Sequence, residues 1–169
     1  GIIAGAGAAM FAYKSFEHVQ TRVLAWQDPW AYIDSKGYQV TQSLFAIGSG
    51  SWFGMGILGG NPKSIPYVEA DAIFSSICEE FGVIFGICLI LISLSCFVTI
   101  LLIAIDVRDK FYQMLVFGVG ILYVFQIFLT VGGGIKFIPL TGVTFPLISY
   151  GGSSVMSTML MFFMVQVIY

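Results

Sequence analysis

FGVIFGICLILISLSCFVTILLIAI, Phe81 to Ile105, runs for 25 residues without a charge, and its reading decides what kind of chain this is. About 20 apolar residues in helical geometry cross the hydrocarbon core of a bilayer, so this run is long enough to span one. Immediately after it come five polar residues, DVRDK at Asp106 to Lys110. Two further uncharged stretches follow, 25 residues from Phe111 to Ile135 and 33 from Phe137 to Tyr169. The 169 residues are 58% hydrophobic and only 9% charged, with a mean hydropathy of +0.94. Soluble domains carry about 25% charged residues, so an ordinary soluble globular domain is excluded. The net charge of -2 leaves no basic surface to neutralise phosphates, which argues against a nucleic-acid partner. Cys78, Cys88 and Cys96 lack paired CxxC spacing and are expected to be packing residues, without a disulfide framework or a metal set.

The expected fold is all-α, a polytopic transmembrane bundle of about four helices with one large loop. Residues 1–13 are the expected end of one transmembrane helix and 14–70 a long connection. Transmembrane helices are expected over 71–105, 111–131 and 152–169. The chain opens inside an apolar run with no initiator Met, so it is expected to be a piece of a larger membrane protein. Gly1 to Tyr13 would reach about 20 Å at 1.5 Å per residue, too short to span unless earlier residues complete it. The DVRDK turn can only be tight and polar. Its Arg108 and Lys110 place it on the cytoplasmic side by the positive-inside rule, which discounts the lysines and arginine of the long loop.

Within the connection, Gly37 to Pro62 is a 26-residue uncharged stretch with seven glycines. That is too glycine-rich for a plain spanning helix, and it reads as a re-entrant or interfacial segment. Pro139 to Ser154, PLTGVTFPLISYGGSS, is irregular for the same reason, with two prolines and three glycines. Irregular backbone at membrane depth is tolerated only where protein buries it or where it lines a wet cavity. Two such segments at one end of a bundle predict a cavity at the membrane surface. The aromatic residues Trp26, Trp30, Trp52 and Phe53 read as an interfacial belt.

Ionisable groups at or within a membrane are costly and mark candidate sites. Asp71 stands out, at the start of the apolar segment AIFSSICEEFG. Two readings stay open: a carboxylate facing the cavity mouth, or the N-cap of the following helix, where Asp is a preferred residue. On a helix beginning at Asp71, Glu79 lies about 80° around and Glu80 about 180°. Only Glu79 would share the Asp71 face, with a structural hydrogen bond as the competing role. Lys63 and Lys136 read as interfacial snorkelling residues. His18 is the one histidine, which rules out a multi-histidine metal site.

Three runs carry a resemblance: RVLAWQDPWAYIDSKGYQVTQSLFAIGSGSWFGMGILGG from Arg22, IPYVEADAIFSSICEEFG from Ile65, and FIPLTGVTFPLISYGGSS from Phe137. Together, and in this order, they resemble the C-terminal part of the SEDS family (FtsW, RodA, SpoVE), bacterial multi-pass proteins of shape, elongation, division and sporulation. The match covers about Arg22 to Ser154. It implies a parent of about ten transmembrane helices in the bacterial plasma membrane, with the 14–70 connection outside the cell. It further implies polymerisation of lipid II into glycan strands, in partnership with a class B penicillin-binding transpeptidase and in contact with membrane lipids. The motifs do not separate division from elongation or sporulation.

The essential acid of the family lies in a stretch resembling PEAHTDFIF, here Pro66 to Phe74, PYVEADAIF. Pro66, Asp71, Ile73 and Phe74 are in register, whereas Tyr67, Val68, Glu69, Ala70 and Ala72 depart from the pattern. The resemblance thus makes Asp71 the expected catalytic residue. Glycosyl transfer needs the acceptor hydroxyl to lose a proton as it attacks, and a diphosphate already leaves readily. One base plus groups that stabilise phosphate should therefore suffice, in contrast to the two carboxyls of a glycosidase. Arg22 precedes the DPW element (Asp28, Pro29, Trp30), and its fork suits a phosphate, with headgroup anchoring as the alternative. Gln39, Gln42 and Ser43 match the GYQ..QS element and are candidates for lining the cavity or for interhelical packing. Ser153 and Ser154 open the last helix, where free N–H groups favour an anion and a structural turn is the alternative. Substrate-binding candidates are thus Arg22, Gln42, Ser43, Lys63, Glu79, Ser153 and Ser154. A divalent cation such as magnesium is left open by the sequence.

Two other classes remain in view: a lipid-linked-precursor flippase and a non-catalytic scaffold for the transpeptidase. A flippase needs charges on both sides of a central cavity, whereas here they gather on the loop side. Without the other helices, polar cavity groups would face lipid, so the isolated piece is expected to be inactive.

Overall fold

The computed structural model describes residues 16–35, 37–57, 59–60, 65–66 and 68–169. These form six helices: α1 Glu17–Gln27, α2 Tyr38–Gly50, α3 Ile73–Phe81, α4 Val83–Asp106, α5 Lys110–Gly134 and α6 Gly152–Ile168. No strand occurs among the described residues, and the fold is the all-helical bundle that the composition demands. The expected end of a transmembrane helix at 1–13 lies outside the described residues.

The two longest helices, α4 and α5, have 24 and 25 residues and are apolar enough to cross a membrane. Only 17% and 33% of their most apolar windows are buried. A core helix of a soluble protein would be mostly covered, so these helices turn their apolar side chains outward. They are joined by Val107, Arg108 and Asp109, and the Asp109 carboxylate caps α5 by accepting the Phe111 N–H at 2.8 Å. Ile100 and Ala104 of α4 pack against Val116, Val119, Tyr123 and Ile127 of α5, joined by Phe74 and Cys78 from α3 and by Phe145 and Val165.

Where the sequence predicts one helix over 71–105, the chain forms two. Gly82 interrupts it with φ +88°, and the segment after α2 repairs the gap. In an unbroken helix the carbonyls of Glu79 and Glu80 would accept from Val83 and Ile84. Here they accept instead from the N–H groups of Met55 and Gly56, at 2.9 and 3.0 Å, while Val83 and Ile84 donate to Ser51 and Trp52 at 3.0 and 3.4 Å. Four of the main-chain groups freed by the break thus regain partners, as a low-dielectric setting favours. The approach is so close that a Cβ on Gly82 would lie 2.3 Å from the Trp52 carbonyl oxygen.

The Gly37–Pro62 stretch, expected to be re-entrant or interfacial, contains α2. This helix is 13 residues long, about 20 Å at 1.5 Å per residue, too short to cross a bilayer. It runs alongside α3 in the same direction. Gln39 lies beside Asp71 at one end, and Gly50 touches the backbone of Cys78 and Glu79 at the other. Ala46 packs against Ile65 and Ala72 between them. The returning chain from 51 to 72 therefore brings Asp71 back to the level of the start of α2.

Candidate active site

The site is built on the C-terminal end of α5. There Gly132, Gly133 and Gly134 are buried and let the chain fold back on the helix. Phe137 N–H donates to the Gly132 carbonyl at 2.8 Å and Lys136 N–H to that of Gly133 at 3.3 Å, with Lys136 in the left-handed region at φ +61°. This is the Schellman pattern, with Lys where Gly is usual. The turn exposes the carbonyls of Lys136 and Leu140, and two residues one turn apart on α1 bind them. Trp26 Nε1 donates to the Lys136 oxygen at 3.1 Å and Arg22 Nη1 to that of Leu140 at 3.0 Å. Those two bonds set the position of α1 and bring the Arg22 guanidinium over the site. The sequence gives Trp26 an interfacial role, and its hydrogen bond becomes visible only once the 136–140 turn is seen.

Asp71 precedes α3 and does not cap it. The N-cap is Ala72, with no side-chain cap hydrogen bond. The Asp71 carboxylate instead turns toward α2, where Gln39 Nε2 donates to Oδ1 at 3.1 Å and, with its other hydrogen, to the Pro66 carbonyl at 3.1 Å. Residues just before Asp71 are pinned by the irregular segment ahead of α6. Tyr150 N–H donates to the Glu69 carbonyl at 2.8 Å, Ser149 Oγ donates to that of Ala70, and Ser149 Oγ accepts from Phe145 N–H at 2.8 Å. Thr130 Oγ1 on α5 holds the same segment through the Val143 carbonyl at 3.0 Å. Both irregular stretches thus meet at Asp71, and burying them against protein satisfies their backbone groups.

Arg22, Thr21 and Ala25 of α1, Gln39 and Val40 of α2, Asp71 and Leu140 enclose a pocket of about 80 Å³. That space admits a hydroxyl-sized group together with ordered water. Gly142 faces the Arg22–Asp71 pair. A Cβ placed there would stand 3.5 Å from Arg22 Nη2 and 3.9 Å from Asp71 Oδ2, so cation and carboxylate face one shared space. Burial raises the Asp71 carboxyl above its ordinary value of 3.8. A main-chain hydrogen bond at residue 71, the Gln39 amide and the Arg22 charge pull it back in that order. The outcome is a carboxylate of heightened basicity beside a cation, a pairing suited to taking a proton while an anion is held nearby.

Other residues named from the sequence lie elsewhere. Ser43 is buried, at 1% exposure, with an Oγ that has no hydrogen-bond partner, and Gln42 is partly exposed on a different face of α2. Neither lines the pocket, whereas Gln39 does. Glu79 is buried at the far end of α3, where Gly60 lies against its carboxyl. Asp71 lies in a turn before α3, outside the helix that carries Glu79, so the two do not share the helix face expected of them. Ser154 Oγ is hydrogen-bonded to Thr144 Oγ1 at 2.5 Å, which ties α6 to the preceding segment, and Ser153 is exposed. Lys63 lies outside the described residues. Among the described residues no group of three or more His, Cys, Asp or Glu converges as a metal set. An apolar groove of about 240 Å³ between α4 and α5, lined by Ile90, Leu94, Val124, Phe128 and their neighbours, holds no group able to move a proton.

Outward-facing apolar helices, with a cation and a carboxylate gathered where irregular segments meet, define a helical membrane protein with a polar site at one end of its bundle. The chain belongs to the FtsW/RodA/SpoVE family of cell cycle proteins, whose family model matches residues 1–169. It is 38% identical over 157 residues to the peptidoglycan glycosyltransferase RodA of Mycobacterium tuberculosis (strain ATCC 25618 / H37Rv), covering 93% of this chain and 34% of that protein. It is 39% identical over 158 residues to the probable peptidoglycan glycosyltransferase FtsW of Saccharophagus degradans, covering 90% of this chain and 41% of that protein. With the probable peptidoglycan glycosyltransferase FtsW of Aliivibrio salmonicida it shares 41% identity over 140 residues, 79% of this chain and 34% of the relative. The chain thus spans between 34% and 41% of the length of these relatives.

Proposed function

We propose that the protein containing this chain is a peptidoglycan glycosyltransferase of the bacterial plasma membrane, polymerising lipid II at the outer face beside a class B penicillin-binding transpeptidase. The observation that carries the reading is the shared space over Gly142, with Asp71 Oδ2 on one side and the Arg22 guanidinium on the other. In this mechanism the sugar 4-hydroxyl of the acceptor gives its proton to Asp71. Its oxygen forms the new bond to C1 of the donor, and the C1–O bond breaks with its electron pair leaving on the diphosphate. Arg22 holds phosphate charge; its guanidinium stays protonated throughout and its planar fork matches phosphate oxygens. The pocket receives only the reacting hydroxyl, and the sugars and polyprenyl chains occupy surfaces built with the rest of the protein.

Asp71→Asn in the full-length protein tests this. An amide cannot take the proton, so polymerisation of labelled lipid II should fall by about 10²–10⁴-fold, the usual worth of a general base, while transpeptidase binding persists. An Asn variant that polymerises at the parental rate overturns the reading and returns the protein to the flippase or scaffold class. The side of the membrane is tested separately. In a cysteine-free full-length background, a cysteine at Ser35 should react with an impermeant thiol reagent from outside and one at Val107 should not; the reverse pattern overturns the assignment of the site to the outer face.

A further inference from the structure

Gln39 and Gly142 both touch the Asp71 environment, and neither is accounted for by a role as base or as phosphate contact. The Gln39 amide spends both of its hydrogens, one on the Pro66 carbonyl and one on Asp71 Oδ1, each at 3.1 Å. Pro66 and Asp71 flank the returning segment, so this one amide fixes the carboxylate against its own backbone. The opposite oxygen, Oδ2, faces the space above Gly142. Gly142 has φ +75°, and a Cβ there would project toward Arg22 Nη2 and Asp71 Oδ2.

We propose that Gln39 and Gly142 are positioning residues: Gln39 holds Oδ1 so that Oδ2 is the oxygen that takes the proton, and the bare backbone of Gly142 is the floor on which the acceptor hydroxyl rests between Oδ2 and Arg22. This rests on the glycosyltransferase reading and deepens it. The two roles are separable in kinetics. Gln39 acts on the carboxylate itself, through a donor that favours its ionised form. Gly142 acts on the space the substrate enters. Arg22, from α1, is the charged side chain that faces Asp71 among the described residues; α2 and the segment 139–151 carry no charge, and Glu69 is exposed two residues earlier.

The experiment uses the full-length protein with its transpeptidase, labelled lipid II, and pH–rate profiles beside melting curves. Gln39→Met keeps the length of the side chain and removes the donor. Its kcat should fall about tenfold, the worth of one hydrogen bond to a charged group. Its KM should stay near the parental value, and the acid limb of the profile should move up by about one pH unit, because the ionised form loses a donor. Gln39→Glu should move that limb further, since a second carboxyl now faces the first. Gly142→Asn tolerates the left-handed backbone better than Ala and should raise KM about tenfold or more with little change in the acid limb.

Asp71→Asn is run in parallel. If it is inactive while folded Gln39→Met and Gly142→Asn keep parental kcat, KM and pH profile, the positioning roles fall and the base reading stands. If Asp71→Asn is active, both fall. A tenfold loss in Gln39→Met with an unmoved acid limb also overturns the Gln39 role, because a merely structural residue would give that result.

Discussion

The two ends of α3 are held in opposite ways. At its start, side chains do most of the holding, beside one main-chain bond from Tyr150 to Glu69: Gln39 on Asp71 and Pro66, Ser149 on Ala70, Arg22 and Trp26 on the 136–140 turn. At its end, four main-chain hydrogen bonds join the 51–56 segment to the gap at Gly82, and no side chain is needed. Side-chain ties can be cut singly and leave a pocket between them, whereas a backbone exchange closes the space it occupies. Function should therefore concentrate at the start of α3 and stability at its end.

The largest expected effect separates the two ends directly. Asp71→Asn should cost about 10²–10⁴ in polymerisation rate with little change in melting temperature at neutral pH. If it unfolds the protein instead, the start of α3 is structural and the comparison breaks. Next, Gly82→Ala should do the reverse. A methyl group at φ +88°, 2.3 Å from the Trp52 oxygen, forces the exchange apart, with an expected loss of about 2–4 kcal/mol. Denaturation in detergent measures it, and parental stability would show that the gap tolerates a side chain. Trp26→Phe removes one donor and keeps the ring, so about 1 kcal/mol of stability should go. Polymerisation should fall as Arg22 loses its companion bond one turn away, and an unchanged rate would mean that Arg22 is positioned without it.

The smallest effect sharpens the comparison through pH. Burial raises the folded-state pKa of Asp71 above its ordinary value of 3.8. The stability linked to the bound proton is therefore present below that value and lost as pH rises through the folded-state pKa. Asp71→Asn escapes that loss. The two proteins should melt together near pH 4 in detergent, and the Asn variant should melt equal to or above the parent at pH 7. A parent that gains on the variant as pH rises would mean that Arg22 and Gln39 outweigh burial.

Much of this was legible in the residues. Uncharged runs of spanning length fixed an all-helical bundle, because a bilayer leaves the backbone no partner but itself. The motif around Asp71 and the arginine before DPW singled out the two groups that share the pocket. Period and composition could not show the break at Gly82, because a lone glycine in an apolar run is compatible with a continuous helix; only the arrival of the 51–56 segment makes the interruption favourable. The choice between Gln39 and Gln42 was also hidden, since both fit one motif. Which glutamine faces Asp71 depends on the rotation of α2 against α3, set by close contacts at Ala46 and Gly50. The sequence by itself determined the structural class of this protein, an all-helical membrane bundle, through its uncharged apolar runs. The tertiary structure alone decided that Asp71 is not a cap, that Glu79 lies away from it, and that Gly142 faces Asp71 and Arg22. Those facts depend on contacts between segments far apart in the chain, which no local pattern encodes.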